Sequence, residues 1–487
     1  MKRKFLKKIF LAGCVMLVFC SGCRFVNDHF TGNGEKKLYW AMEVPAAYEL
    51  LDEAVEEGAD LDAFSVYNGI FLNGKYERNP MRIGMDNLLE RYTMQRMLEL
   101  GADPNAVDCE GYPLIFRAST WTDDEQSFEL FVSHGANAAA RAENGETILD
   151  YYLKNRSGAS IDGIYLDGAS RKMVELMLEQ NVPVEEKTWD LAEQTKAYHL
   201  LDLLCQAYPK GYDTLSQMQK DFLDGKIDDA NQMLKDSETL SEKDQYIAVD
   251  FGNGETIEIL KEKQVDFWRE HGDSASLGYS AIYSCNTETA GKILDQTEPD
   301  QKNASYIKKA IYQMDHVGLI RYLCQSGWLS IETLSEEDVG TIAAVNALDT
   351  MTYILENGYD FSKNKSAGNQ ALTKAIQEDN REMLKLLLEN GADPNYEGEE
   401  GYPLENACIT GNPENITLLL QYGADVEKAR DGAMWSAVSS MNLDAIKILA
   451  ESGVPVSEQT YRLAKEDADL ENNHVWEYVS RLYEQQQ

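Results

Sequence analysis

The chain reads as an all-α solenoid of stacked helix pairs, and three observations carry that reading. A five-residue string, Gly101-Ala102-Asp103-Pro104-Asn105, returns as Gly391-Ala392-Asp393-Pro394-Asn395. Each copy follows a leucine- and glutamate-rich run, Met97-Leu98-Glu99-Leu100 in one place and Leu386-Leu387-Leu388-Glu389-Asn390 in the other. Looser copies stand at Gly58-Ala59-Asp60, Gly135-Ala136-Asn137 and Gly423-Ala424-Asp425. The spacing is regular: Gly327, Gly358, Gly391, Gly423 and Gly453 lie 31, 33, 32 and 30 residues apart, and Gly101 lies 34 before Gly135.

The chemistry of the marker explains the period. A glycine just past a helix end enters the left-handed conformation without a Cβ penalty and caps the helix. An Asp or Asn two residues later can bond the nearby backbone and so suits the turn. A single helix pair cannot bury its apolar stripe, so neighbouring pairs must stack, and stability comes from the interfaces between them.

More of each unit is legible. Gly111-Tyr112-Pro113-Leu114 and Gly401-Tyr402-Pro403-Leu404 open a first helix, with proline where a missing N–H costs nothing. Ala407-Cys408 and Gly411-Asn412 follow, Glu414 begins a second helix, and Leu418-Leu419-Leu420 form its core stripe. Leu372, Ala375, Glu382, Leu386, Leu387 and Leu388 repeat that pattern one unit earlier. In these residues the chain resembles the ankyrin-repeat family, most fully over 340–455, well over 94–153, and more loosely over 37–64, 170–182 and 316–330. The resemblance implies a non-catalytic protein-binding scaffold that contacts partners through turn tips and first helices. One departure is consistent: Ile115, Asp150, Thr373 and Glu405 stand where the family carries a histidine that ties neighbouring turns together.

The N-terminus carries an address. Lys2, Arg3, Lys4, Lys7 and Lys8 precede an apolar stretch from Ile9 to Phe19, then Cys20-Ser21-Gly22-Cys23. A basic region, a short apolar region and small residues before a cysteine resemble a bacterial lipoprotein signal over residues 1–22. That resemblance implies Cys23 as the lipidated N-terminus of an extracytoplasmic, membrane-anchored protein. An ordinary secretory signal and an uncleaved anchor are the alternatives, and the apolar stretch is short for a spanning helix. Residues 23–37 read as a polar tether with Gly32, Asn33 and Gly34.

The body then divides by pattern. Residues 38–204 read as repeats with insertions around 64–85 and 155–170, expected as loops on one face, either a binding face or plain surface. Residues 205–315 lack the glycine marker but keep helical periodicity; Leu234, Leu260, Leu294 and Leu323 mark degenerate units, and a hinge or a hidden enzyme domain is the rival. Residues 316–453 resume the repeats, and 454–487 supply capping helices whose outer faces are polar.

Composition bounds the partners. The chain has 487 residues and a net charge of −38; removing 1–22, with its five basic residues and no acidic ones, leaves −43. Such a balance argues against nucleic acid and against lying on an anionic membrane. It would draw in a basic protein, including a basic toxin or enzyme for which the chain could serve as immunity protein or inhibitor. A solvated acidic surface is the simpler explanation of the same charge. The five cysteines after Cys23 are odd in number and far apart, with no disulfide or ligand spacing. The six histidines form no metal-ligating pair, so no metal or cofactor is expected, and His134 reads as a cation at a helix C-terminus. Gly252-Asn253-Gly254-Glu255-Thr256 lacks the frame of a phosphate loop and reads as a turn. Tyr112, Tyr396 and Tyr402 in the turns, and Trp435 opening a first helix, are the candidate protein-binding residues, because such side chains bury large area at low entropy cost. Trp40, Trp189, Trp268, Trp328 and Trp476 read as core or capping residues. A monomer is expected.

Overall fold

The computed structural model describes residues 33–43, 48–63, 65–68, 75–86, 91–120, 125–156, 160–161, 164–165, 170–269, 276–297, 301–410, 412–466 and 474–486. Cys23, the signal segment, His271 and the side chain of Trp40 lie outside the described residues. Two compact units are present, one formed by Met1–Glu110 with Asp360–Gln487 and the other by Gly111–Tyr359.

In both units helices come in pairs joined by short turns. The unit of Gly111–Tyr359 contains, among others, the pairs Glu242–Phe251 with Gly254–Glu262, Leu277–Tyr283 with Thr287–Asp295, and Glu336–Ala344 with Leu348–Glu356. The other unit contains Asn33–Glu43 with Tyr48–Glu56, Lys365–Gln377 with Arg381–Glu389, Pro403–Thr410 with Pro413–Gln421, and Val426–Ser439 with Leu443–Glu451. First helices pack on first helices and second on second, as in Lys365–Gln377 against Pro403–Thr410 and Arg381–Glu389 against Pro413–Gln421. The interfaces are apolar: Leu372, Ala375, Leu384, Leu387, Ala407, Ile416 and Leu419 are fully buried.

The marker works as its chemistry requires. Gly58, Gly101, Gly135, Gly327, Gly358, Gly391, Gly423 and Gly453 all have positive φ, between 82° and 102°. At Gly391 two bonds close the helix, Gly391 N to Leu388 O (3.2 Å) and Ala392 N to Leu387 O (3.0 Å). The following carboxylate then accepts from the backbone two residues on: Asp103 from Asn105 N (2.8 Å), Asp393 from Asn395 N (2.9 Å), Asp425 from Glu427 N (2.9 Å). The end of the marker reaches the next unit. Asn395 donates to Gly423 O (2.8 Å) and accepts from Asp425 N (2.6 Å).

In residues 205–315 the helix pairs continue without the Gly-Ala-Asp marker. Gln264 takes the left-handed position itself, with φ 62°. It repeats the same closure, Gln264 N to Lys261 O (2.8 Å) and Val265 N to Leu260 O (3.0 Å). Leu234, Leu260, Leu294 and Leu323 are buried on the second helices Ile227–Asp236, Gly254–Glu262, Thr287–Asp295 and Val317–Ser326. A side chain in the left-handed region costs about 1–2 kcal/mol, offset in part by the lower entropy of an unfolded non-glycine residue. Gln264→Gly is therefore expected to stabilise its helix pair by about 0.5–1 kcal/mol, measured as slower amide exchange over 254–265.

Two expectations need correction. The insertions are not loops alone: Ser65–Asn68 pairs antiparallel with Lys75–Arg78, and Ser160–Ile161 with Ile164–Tyr165. The sequence held the signal, with Asn73-Gly74 between the first two strands and Asp162-Gly163 between the second two. The tether is also shorter than expected, because the first helix begins at Asn33. Leu38, Ala41 and Met42 bury its apolar face, and Lys37 pairs with Glu53 of Tyr48–Glu56 and with Glu57 (2.7 Å) just past that helix's end.

Two packing arrangements depart from simple stacking. Within the unit that joins both ends of the chain, Tyr48–Glu56 packs on Leu443–Glu451. Arg91 there donates to Asp379 O (3.3 Å). In the other unit the turn Tyr198–Leu200, which runs straight into the helix Leu201–Ala207, packs on the first helices Glu242–Phe251 and Leu277–Tyr283.

Candidate protein-binding surfaces

The turn that carries Tyr396 and Tyr402 is a braced finger. Gly398 and Gly401 exchange backbone bonds (3.1 and 3.3 Å), which places Glu399 and Glu400 at its apex. Gly401 has φ 98°, a conformation that favours glycine. Asn369, buried in the preceding first helix, donates to Tyr396 O (2.8 Å), and Gln377 of the same helix donates to Glu400 (2.8 Å). A Cβ on Gly398 would overlap the Asn369 side chain, so glycine lets the finger sit down on its support. Glu397, Glu399 and Glu400 are exposed, while Tyr396 and Tyr402 are half-buried. Partial burial, and then Glu397, Glu405 and Asp425 around it, raise the Tyr402 hydroxyl above its ordinary value.

Trp435 lies half-buried on Val426–Ser439, the first helix after the finger. Ile409, on the adjacent first helix, is 46% exposed. Glu405, in the family-histidine position, fits between two glycines; a Cβ at Gly401 or Gly432 would overlap its carboxylate.

Tyr112 sits in the other unit and is held in a fixed pose. It donates to Glu146 (2.9 Å) and accepts from Asn144 (2.9 Å). The Arg117 guanidinium lies 5.1 Å from its ring centroid and 5.3 Å from that of Tyr151, to whose hydroxyl it donates (2.5 Å). Burial works against ionisation of Glu146, but bonds from Lys187, Tyr112 and Asn144, with Lys154 nearby, outweigh it and bring its carboxyl down to about 2.

The other sequence candidates find structural places. Trp189 is buried, Trp268 packs edge-on against Tyr279 at 5.5 Å, and Trp476 lies 5.2 Å from Tyr461 in the last pair. The His134 ring shares a hydrogen bond with Leu130 O (2.9 Å), just past the end of the helix Glu125–Ser133. Asn253 caps Gly254–Glu262 by accepting from Thr256 N (3.1 Å), so the glycine-rich stretch is a helix start. The cysteines described are free, and Cys408 is fully buried. Asp150, replacing the family histidine, accepts from Thr147 N (3.2 Å) and from the Thr188 hydroxyl (2.6 Å) of the next pair.

Sequence reasoning missed a buried acid. Asp250 is 3% exposed on Glu242–Phe251 and accepts from the Ser280 hydroxyl (2.7 Å), while its other oxygen has no partner. Burial, against the Ser280 bond and with Asp202 adding to it, pushes its carboxyl up to about 8. Its sequence signal was slight: an acid in the apolar run Tyr246-Ile247-Ala248-Val249.

Comparison with known proteins places this geometry. Residues 339–430 match the family model for ankyrin repeats, in three copies. The chain is 40% identical over 68 residues to the 2-5A-dependent ribonuclease of Homo sapiens, covering 13% of this chain and 9% of that protein. It is 23% identical over 244 residues to alpha-latrocrustotoxin-Lt1a of Latrodectus tredecimguttatus, covering 43% of this chain and 16% of that protein. The chain thus spans less than a fifth of the length of either curated relative. Among solved structures, the human ASB11 ankyrin repeat domain aligns at 18% identity, over 43% of this chain and 98% of that one, with a TM-score of 0.33. Residues 339–430 thus carry ankyrin repeats, and the fold of the described residues is an all-α stacking of helix pairs.

Proposed function

We propose that this chain is a membrane-anchored, extracytoplasmic docking protein, lipidated at Cys23, whose ankyrin repeats bind another protein of basic character without catalysing a reaction. The observation that carries the reading is the finger of residues 396–402. Asn369 and Gln377 brace it, and it offers three exposed carboxylates beside two half-exposed tyrosines. Rigid aromatic tips lose little entropy on docking, and a surrounding negative field draws in a positive partner. Trp435 adds an apolar anchor on the neighbouring first helix, and Tyr112 offers a second, separately fixed tip in the other unit. An inhibitor or immunity protein against a basic toxin or enzyme is the same chemistry with a narrower partner, supported by the same net charge of −38.

The test is a pull-down from the envelope of the same cell at low and high salt. A basic protein should be retained at low salt and lost at high salt. The double variant Tyr396→Ala/Tyr402→Ala should weaken retention by at least about tenfold while leaving helix content unchanged. Retention that ignores both salt and the double variant would remove the finger and the charge from the reading. Cys23→Ala should release the chain from membranes; a variant that stays bound would remove the lipid anchor.

A further inference from the structure

The turn Tyr198–Leu200 seats on the first helices Glu242–Phe251 and Leu277–Tyr283 through aromatic contacts, Tyr198 on Tyr246 at 5.6 Å and His199 on Tyr283 at 6.4 Å. Arg171 locks the seat from outside. It donates to His199 O (3.3 Å) and to both oxygens of Asp202 (2.9 and 2.5 Å). Asp250 lies one helical turn on from Tyr246 in the same helix, and its partner Ser280 lies one turn before Tyr283, so both belong to the helix faces that carry the seat. One Asp250 oxygen takes the Ser280 hydroxyl, and the other is buried with no partner.

No cation answers that carboxyl among the described residues. Arg171 is committed to Asp202, Lys196, 6.0 Å from the Tyr246 ring centroid, pairs with Glu242 (2.7 Å), and Asp202 itself repels a charge on Asp250. The other elements packed on Glu242–Phe251 bring charges engaged elsewhere. Asp221 of Gln217–Leu223 faces Lys226 (3.7 Å), and Glu255 and Glu258 of Gly254–Glu262 face Lys235 (2.6 Å) and Lys292 (3.8 Å). Glu288 of Thr287–Asp295 accepts from Gly254 N (2.7 Å). Burial raises the hydroxyls of Tyr246 and Tyr279 well above the carboxyl range, and His199, the seat's own titratable ring, is present in wild type and in any Asp250 variant alike, so it cancels between them. A carboxylate sealed in with one hydroxyl donor and a like charge nearby is far more costly than the neutral acid.

We propose that Asp250 is a pH-gated latch: as the neutral acid it lets the Tyr198–Leu200 turn close over Glu242–Phe251 and Leu277–Tyr283, and once ionised it drives that turn off. Opening would bare the first-helix face of two repeats that the chain otherwise covers with its own residues. The sign follows from linkage. The closed form holds its proton up to about pH 8, whereas an exposed carboxyl gives it up near its ordinary value of 3.8. Closure therefore weakens steadily as pH rises between those values and levels off above about 8.

The test is amide exchange over residues 198–207 and 277–285 in the full chain, comparing wild type with Asp250→Asn at matched pH so that intrinsic exchange chemistry cancels. The asparagine mimics the neutral acid. The wild-type to variant ratio should rise roughly a hundredfold from pH 6 to pH 9 and then flatten. Ser280→Ala removes the one bond that favours the charged form, so its transition should move to higher pH. A ratio that stays level from pH 6 to pH 9 overturns the latch, as does a Ser280→Ala transition that fails to move upward.

Discussion

Asp150→Ala is expected to weaken the interface between helices Ile148–Arg156 and Glu186–Gln194 by about 3 kcal/mol. The wild-type carboxylate ends a short relay. The Glu185 amide donates to the Thr188 hydroxyl (3.3 Å), which donates to Asp150 (2.6 Å), while the Thr147 amide donates to the other oxygen (3.2 Å). Thr147, Asp150 and Thr188 are all buried, so truncation strands the Thr188 hydroxyl and the Thr147 amide away from water. Each stranded donor costs about 1–3 kcal/mol. Asp150→Asn keeps an acceptor and should lose about 1 kcal/mol. Native-state exchange over these two helices is the measurement, because stacked repeats open locally. An alanine variant no weaker than the asparagine one would mean that the relay does not hold the two pairs together.

Gly252→Ala should cost about 3 kcal/mol, with the loss confined to the pair Glu242–Phe251 and Gly254–Glu262. Gly252 has φ −83°, which any residue adopts, so conformational freedom is not the issue. Space is. A Cβ there would overlap the Ala248 carbonyl and lie 2.6 Å from the Thr256 hydroxyl oxygen. The first obstacle is backbone in the last turn of a helix and cannot rotate away. Both obstacles are needed where they are, because Gly252 N donates to that carbonyl (2.9 Å) and Thr256 takes part in the Asn253 cap. Circular dichroism with exchange over 242–262 would show the effect. Exchange unchanged from wild type would mean the turn has slack that these distances deny it.

What the sequence made legible is what recurs. Gly101, Gly391 and Gly423, each with an acid two residues on, define the helix ends because left-handed backbone and short carboxylates leave a compositional trace. The middle was harder for a physical reason. Gln264 adopts the same left-handed backbone, at φ 62°, without the residue that advertises it. The finger was partly legible: Tyr396 and Tyr402 could be named from the repeat, but their support by Asn369 and Gln377 could not. Those two look like any polar residues of a helix until the next unit is placed beside them. The seat of Tyr198–Leu200 on distant first helices and the isolated acid on one of them left almost no periodic signal, since each occurs once.

The joining of both chain ends in one unit sets an order of assembly. Arg91 and its acceptor Asp379 are 288 positions apart, and the whole of the second unit lies between them. At ribosomal speeds of about 5–20 residues per second, the early helices wait roughly 15–60 seconds for the segment that completes them. During that interval Leu51, Ala54 and Met97 have only their immediate neighbours for cover. Truncation anywhere before residue 360 leaves the beginning of the chain, as well as its end, without a finished fold.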